Sequence, residues 1–583
     1  MARQDTIYRP IWVDPIQDEK LCQAFIDEFH IHPVTAQVLV SRKFKTTEAV
    51  HDFLYAKLPD LLDPALFPEM KMATERLYRA REEQETVLIY GDNDVDGMTG
   101  TTLLTDLFKS VGLQVLFFVA NRSSLASSGY IDALEFAKEH NCSLIITVDC
   151  GITAVEDIKK ITLAGIDTII TDHHEPTGEL PSCVAIINPK IANCKYPNKD
   201  ITGVGVAFKL AHGYLNLLIS KKLITSDQVD LKRYLDLVAL GTIADMGALV
   251  NENRILVRYG IIQLHRTNRI GLVKLIKVCG LKPYELSIAD VASKIAPRLN
   301  SLGRIADPIK GVELLLTEDP HTAEKLAKEL DLKNLERQRI EKKDSEEVEQ
   351  LIASFPEIFE QKAIVLFSHN WHPGIIPIIA ARLAKQYNRP TVMITIDEGI
   401  GKGSIRTIPE FPVLPILKLN SDLLINFGGH DYAAGLTIQE ENIQAFKKRF
   451  IDSANDTLQE KDVVPKIYLD AKVRFTDLTF DFLESLNLLE PFGNENPPPI
   501  LYATVKQVWP PKVIGKTHLK LYLEQGGRFL EGIGFGLAHR KLMLTKKNLK
   551  LVIAFTPTIN NYLNKTSIQL QVRDFKIVEE PLS

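Results

Sequence analysis

Three aspartates alternate through Gly91-Asp92-Asn93-Asp94-Val95-Asp96-Gly97, directly after the apolar run Thr86-Val87-Leu88-Ile89. Further along, one apolar run ends at Asp149 and another in Asp172-His173-His174. Carboxylates and imidazoles without thiolates suit hard divalent cations, manganese or magnesium in preference to structural zinc. Two such ions ~3.5–4 Å apart need a bridging ligand and can stabilise both the attacking and leaving oxygens of a phosphate. Asp149, alone at its strand end, is the candidate bridge. Singly, an Asp after a strand is usually a cap or turn former, and a His-His pair usually lies on the surface. Three such pieces in successive βα turns carry more weight, because open parallel sheets bind ligands beyond the carboxyl ends of their strands. The pattern predicts a metal-dependent phosphoesterase.

The elements that must position these residues can be read from periodicity. Strand-like runs cover Thr86–Tyr90, Leu113–Ala120, Ser143–Val148, Asp167–Thr171 and Val184–Ile187, with amphipathic stretches between them, which predicts βαβ units and a mostly parallel sheet. Apolar positions at Phe25, Val34, Val38, Val50 and Leu54 predict a helical preface over 1–75. Helical patterning dominates from about 203 to 353 and ends in the charge-dense stretch Asp319–Glu349, read as a solvent-bridging helix. A second α/β segment starts at Ala363-Ile364-Val365-Leu366. Short runs at Leu519–Leu523, Leu551–Phe555 and Ile568–Val572 predict a small antiparallel barrel.

At 583 residues the chain is too long for one core. It carries neither a secretory signal pattern nor an apolar stretch long enough to span a bilayer. Six cysteines without Cys-x-x-Cys spacing read as free thiols of a reducing cytoplasm. The net charge of −5 argues against a protein that simply coats nucleic acid, but residues 501–583 hold 13 Lys/Arg against 5 Asp/Glu. In that basic tail Lys506, Lys512, Lys516, Lys520, Arg528, Lys541, Lys546 and Lys547 interleave with Tyr502, Trp509, Tyr522, Phe529 and Phe535. This suits single-strand binding on an OB-type barrel, with most of the aromatics filling the barrel and one or two left as stacking platforms.

Gly-Asp-x-Asp-x-Asp-Gly at 91–97, Thr147-Val148-Asp149-Cys150-Gly151 and Thr171-Asp172-His173-His174 resemble the motifs of the DHH phosphoesterase superfamily. Further stretches narrow the resemblance to its RecJ family of single-strand-specific exonucleases. They are Leu240–Asp245, Pro297–Arg304, Gly403-Ser404-Ile405-Arg406, Gly428–Gly435 and Leu489-Glu490-Pro491-Phe492-Gly493. The resemblance implies metal ligands at Asp94, Asp96, Asp149, His173 and Asp245, with Asp92 in the motif and His174 beside the cluster, polarising the phosphate or positioning the nucleophile without ligating. It implies substrate contacts at Arg122, Arg298, Asn300, Arg304, Ser404, Arg406, Gly428, Gly429 and His430. Smaller superfamily members often carry a histidine where Tyr90 stands, so one ion here would have one protein ligand fewer.

The expected fold is α/β. A parallel-sheet DHH domain (76–317) follows the helical preface (1–75). It is joined by a long helix (318–353) to a second α/β, DHH-associated domain (354–456), and an OB-type β-barrel (465–583) completes the chain. The resemblance implies 5′→3′ hydrolysis of single-stranded DNA to mononucleotides with two Mn2+ or Mg2+ ions, in recombination and repair. A channel too narrow for a duplex would select single strands. A helicase and a single-strand-binding protein are the expected partners, and the enzyme would act as a monomer. The alternatives are a DHH-type hydrolase of small phosphates or oligoribonucleotides, against which the basic barrel argues, and an inactive DNA-binding scaffold, against which the retained acids argue.

Overall fold

The computed structural model describes residues 9–120, 129–176, 178–544, 549–562 and 565–578. They form two compact units, one of Lys57–Val463 with Gly493–Asn496, the other of the chain up to Ala56 with Val464–Phe492 and the chain from Pro497 onward.

The first unit is built on five parallel strands: Thr86–Gly91 (β1), Gln114–Val119 (β2), Cys142–Val148 (β3), Asp167–Thr171 (β4) and Ala185–Ile187 (β5). Their order is β2-β1-β3-β4-β5. The central strands are continuous apolar runs because helices cover both faces of the sheet. Strand order reverses between β1 and β3, and a crevice opens at such a switch point beyond the strand ends. The aspartates of 92–96 and Asp149 emerge there. Helix Val95–Ser110 (α1) leaves β1 capped by Asp94, whose carboxylate accepts the N–H groups of Asp96 and Gly97. A Cβ on Gly97 would stand 2.5 Å from the Asp92 carbonyl oxygen, so this turn requires glycine.

Gly203–Ser220 (α2) and Leu235–Ala244 (α3) pack against α1. Lys209 of α2 lies fully buried, with its ammonium 2.6 Å from Glu252 and 2.7 Å from the Leu62 carbonyl. Ala296–Ile305 (α4) precedes a 35-residue helix, Pro320–Ser354 (α5), capped by Asp319. The expectation of a purely solvent-bridging α5 needs correction. Ala323, Leu326, Ala327 and Leu330 belong to the core of the parallel-sheet domain, and Val348 and Ile352 to the core under the next one. A buried stripe of one residue per turn is enough to dock a helix whose overall composition is polar.

The second α/β segment comprises Ile364–Ser368 (β6), Ile376–Tyr387 (α6), Thr391–Asp397 (β7), Ile400–Arg406 (β8), Leu424–His430 (β9) and Ala433–Gln439 (β10). The sheet order is β9-β10-β8-β7-β6, with β6–β7 parallel and the other pairs antiparallel. Pro377 falls in the first turn of α6, where its missing N–H costs nothing.

In the other unit, seven strands between Ala471 and Ile577 form one sheet, closed by pairing of Leu501–Gln507 with His518–Gln525. It is not wholly antiparallel as expected, since Arg528–Gly534 and Lys565–Ile577 run parallel. The helical preface has no separate core of its own. Phe25, Val38, Leu39, Val50 and Leu54 share one apolar cluster with Phe475, Phe482, Leu501, Phe555 and Leu570. All six cysteines are free thiols, and among the described residues no helix is long and apolar enough to cross a membrane.

Candidate metal centre and substrate-facing residues

Backbone hydrogen bonds deliver the acids to one edge of the parallel sheet. Asp92 N–H donates to the Val148 carbonyl (3.1 Å), Asp149 N–H to Thr171 (2.9 Å) and Asp172 N–H to Ile187 (3.2 Å). Each residue just past a strand end is thereby tied to the end of the next strand. Asp245 reaches the same place from the C-terminus of α3. His173 Nε2 lies 3.1 Å from Asp149 Oδ1, 3.9 Å from Asp245 Oδ2 and 4.0 Å from Asp96 Oδ2. Three overlapping groups have ligand atoms within 4.8 Å of one another: Asp92/Asp94/Asp149, Asp149/His173/His174 and Asp96/His173/Asp245.

These residues are positioned to form a metal site, and Asp149 shows it most directly. Its backbone is left-handed (φ 61°), a strained conformation for any residue with a side chain. Its Oδ1 is buried and accepts no hydrogen bond, although the neutral His173 ring stands 3.1 Å away. A buried carboxylate oxygen left unpaired is costly unless a cation satisfies it. Burial and the carboxylates of Asp96, Asp94, Asp245 and Asp92 push Asp149 well above the usual carboxylate range. Burial, Asp245 and Asp94 do the same to Asp96, although the first N–H groups of α2 (Gly203, 2.7 Å; Val204, 2.9 Å) hold its two oxygens. Burial and Asp94 raise Asp245 to about 7. So many acids cannot ionise together without a counter-charge, which divalent ions supply.

The adjacent histidines diverge. Burial, reinforced by the charge of His174, lowers His173 to about 3, leaving the neutral imidazole that coordinates metal. Burial also opposes a charge on His174, but the hydrogen bond from its Nδ1 to Asp172 (2.7 Å) and the Asp172 charge raise it to about 9. Asp172 is buried, yet N–H groups and the His174 ring bring it down to about 2. The sequence places Asp172 among the potential ligands at the strand ends, whereas its carboxylate is taken up by His174. The available signal was a carboxylate two residues before a histidine in a tight turn.

The substrate-facing candidates come from α4 and the second α/β segment. The rings of His174 and His430 stack at 5.2 Å, inclined by 12°. Arg304 donates to the Gly374 carbonyl (3.0 Å), and Arg406 to Ser404 Oγ (3.2 Å) and its neighbour's carbonyl. Burial and the nearby charges of Arg337 and Arg406 depress Arg304, with Asp94 acting the other way. Among the described residues, neither Arg304 nor Arg406 has a carboxylate within ion-pair distance. Gly428 is exposed with open space at its Cβ position, and Gly429 (φ 135°) requires glycine.

Two expected substrate contacts are otherwise engaged. Arg298 is held by Asp331 (2.8 Å) and the Lys294 carbonyl (2.6 Å), an ion pair that fastens α4 to α5. Asn300 Oδ1 accepts the N–H of Val95 (3.2 Å) and so braces the acidic loop. Arg122 lies outside the described residues, as do Lys546 and Lys547. In the barrel, the aromatics named from sequence do not fill the interior. Trp509, Phe529 and Phe535 are each 57% exposed, and Trp509 stacks on Phe529 at 6.0 Å. The interior is taken instead by Phe475, Phe482, Phe555 and Phe575.

A parallel sheet gathering aspartates and a neutral histidine at its switch point, joined to a second α/β segment that adds Arg406 and His430, defines a metal-dependent phosphoesterase of the DHH class. Family profiles match accordingly: "DHH family, N-terminal domain" over residues 86–242, "DHHA1 domain" over 360–456 and "RecJ OB domain" over 469–574. The single-stranded-DNA-specific exonuclease RecJ of Bacillus subtilis is 36% identical, aligned over 97% of this chain and 71% of its own length. That of Haemophilus influenzae is 32% identical, over 94% and 97% respectively. The crystal structure of RecJ in complex with Mn2+ from Thermus thermophilus superimposes with a TM-score of 0.81 at 27% identity, over 98% of this chain and 80% of that one. A Mg2+ complex from the same source gives 0.75 at 25%, over 98% and 79%. The chain belongs to the RecJ family.

Proposed function

We propose that this chain is a 5′→3′ exonuclease specific for single-stranded DNA, releasing 5′-mononucleotides with two manganese or magnesium ions. The observation that carries the reading is the buried Oδ1 of Asp149, which accepts no hydrogen bond at the centre of the converging acids. Asp94, Asp96, Asp149, His173 and Asp245 would hold the ions, with Asp149 at the centre of the set and Asp92 completing it. When bound, the ions neutralise phosphate charge and lower the pKa of an attacking water.

The chain's own residues do the rest. His174, cationic at neutral pH through Asp172, presents a proton donor to a phosphate oxygen as charge develops there. Arg304 and Arg406 offer guanidinium donors to the substrate backbone. Ser404, Gly428, Gly429 and His430 receive the 5′ end, the bare glycine backbone allowing close approach of an anion. Exposed Trp509 and Phe529, with Lys512 and Lys520 beside Tyr522, suit stacking of bases and tracking of a strand on the barrel. A passage between the two α/β segments too narrow for a duplex selects single strands. We place the enzyme in the cytoplasm as a monomer acting in recombination and repair, supplied by a helicase and a single-strand-binding protein; six free thiols fit a reducing compartment.

The test is an assay on single strands labelled at either end, with manganese, magnesium or chelator. Stepwise release from the 5′ end with either cation, and none with chelator, is expected. Asp149→Ala should abolish cleavage and keep strand binding. Equal digestion from both ends, or of blunt duplex, would refute the reading.

A further inference from the structure

Lys190 stands on the loop after β5, and no role in the site has yet been given to it. Its position is fixed by main chain, not by its side chain. The fully buried Asn188 accepts the Lys190 N–H (2.7 Å) and donates its amide to the His174 carbonyl (3.0 Å). One side chain therefore locks the Lys190 backbone to the histidine pair. The Lys190 stem is mostly covered, with 21% of its side chain exposed, and its ammonium lies 3.5 Å from Glu175, which is 55% exposed. A cation tied in this way to the histidine pair, and matched among the described residues by a half-exposed carboxylate, is available to a stronger anion.

We propose that Lys190 is a phosphate-binding residue of this site, its ammonium exchanging Glu175 for a non-bridging oxygen of the substrate phosphodiester. It would add a point charge from the β5 loop to the guanidinium groups that α4 and β8 supply. The exchange costs little, because the pair it breaks is open to water, and the new pair forms against a polyanion. Glu175 keeps the ammonium from folding onto the acid cluster while the site is empty of substrate. The proposal rests on the reading of the chain as a single-strand nuclease.

The test uses the full chain carrying Asp149→Ala and a 5′-labelled single strand, with binding measured across a salt series. Each lost phosphate contact lowers the slope of log K against log salt by about 0.7 for a single strand. Lys190→Met should lose about one such increment, Lys190→Arg should retain it, and Glu175→Gln should bind several-fold more tightly. In the active enzyme Lys190→Met should raise KM about tenfold with a smaller change in kcat and an unchanged melting temperature. Parental slope and KM in Lys190→Met would overturn the proposal while leaving the nuclease reading intact. If Lys190→Met folds poorly, unchanged affinity in Glu175→Gln overturns it instead. A parent that neither binds nor cuts single strands overturns both.

Discussion

One oxygen of Asp172 accepts the N–H groups of His173 and His174 together with His174 Nδ1, and its other oxygen accepts the Ile152 N–H. This arrangement makes neighbouring imidazoles electrically opposite, one neutral for coordination and one charged for phosphate. Because His174 is raised to about 9, its pairing with Asp172 is fully present below its ordinary value of 6.5 and is lost as pH rises through about 9. Activity should therefore fall on the alkaline side near pH 9. Asp172→Asn should bring that fall toward neutrality and reduce kcat by about 10–100-fold, as loss of an orienting partner does. A pH–rate profile of the two proteins checks both statements, and an unshifted alkaline limb would show that His174 does not need its charge.

Helices, more than loops, hold the acids in place. The N-terminus of α2 binds both oxygens of Asp96, and Gly203 there lies so close to Asp149 that a Cβ would stand 2.5 Å from its Oδ1. Gly203→Ala should leave the fold intact but displace the Asp149 carboxylate, weakening Mn2+ binding measured by calorimetry by about 10–100-fold. The same helix is anchored by Lys209 against Glu252, and Lys209→Ala would strand a buried carboxylate. Denaturant unfolding should register about 3–5 kcal/mol of lost stability. Helix α4 has a parallel duty. Asn300 braces Val95, and a Cβ on Gly303 would meet the Asn93 carbonyl at 2.2 Å, so this helix supports the acidic loop from outside the sheet.

At the scale of the molecule, crowded carboxylates are a liability that metal removes. Mn2+ or Mg2+ should raise the melting temperature of the wild-type chain, the gain being about 2.7 kcal/mol when the ion is present at a hundredfold excess over its Kd. Asp149→Ala should show a much smaller shift in the same thermal scan. Phe25 to Leu54 share their core with the strands after Val464, although Lys57–Val463 lies between them in the chain. Cutting the chain after Val463 should thus leave Phe25, Val38 and Leu54 without their packing partners. That product should aggregate, whereas the piece 57–463 should stay dispersed, a difference that light scattering of the two fragments would reveal.

Local sequence was enough for the strands of the first sheet and for Asp92, Asp94, Asp96, Asp149 and His173. A strand buried on both faces is a continuous apolar run, and its ligands come immediately after it. Asp245 was found only by resemblance, since nothing near it announces a metal ligand; α3 carries it to the site. Arg298 and Asn300 lie in the expected motif, yet only the packing of α4 against α5 and the acidic loop decides that one is an ion-pair partner and the other a brace. The barrel aromatics had the right composition but the wrong assigned side, because alternation in short twisted strands does not say which face is covered. That the first helices join the last strands is likewise invisible locally. Periodicity records which face of an element is apolar, and only the folded chain supplies the surface that buries it.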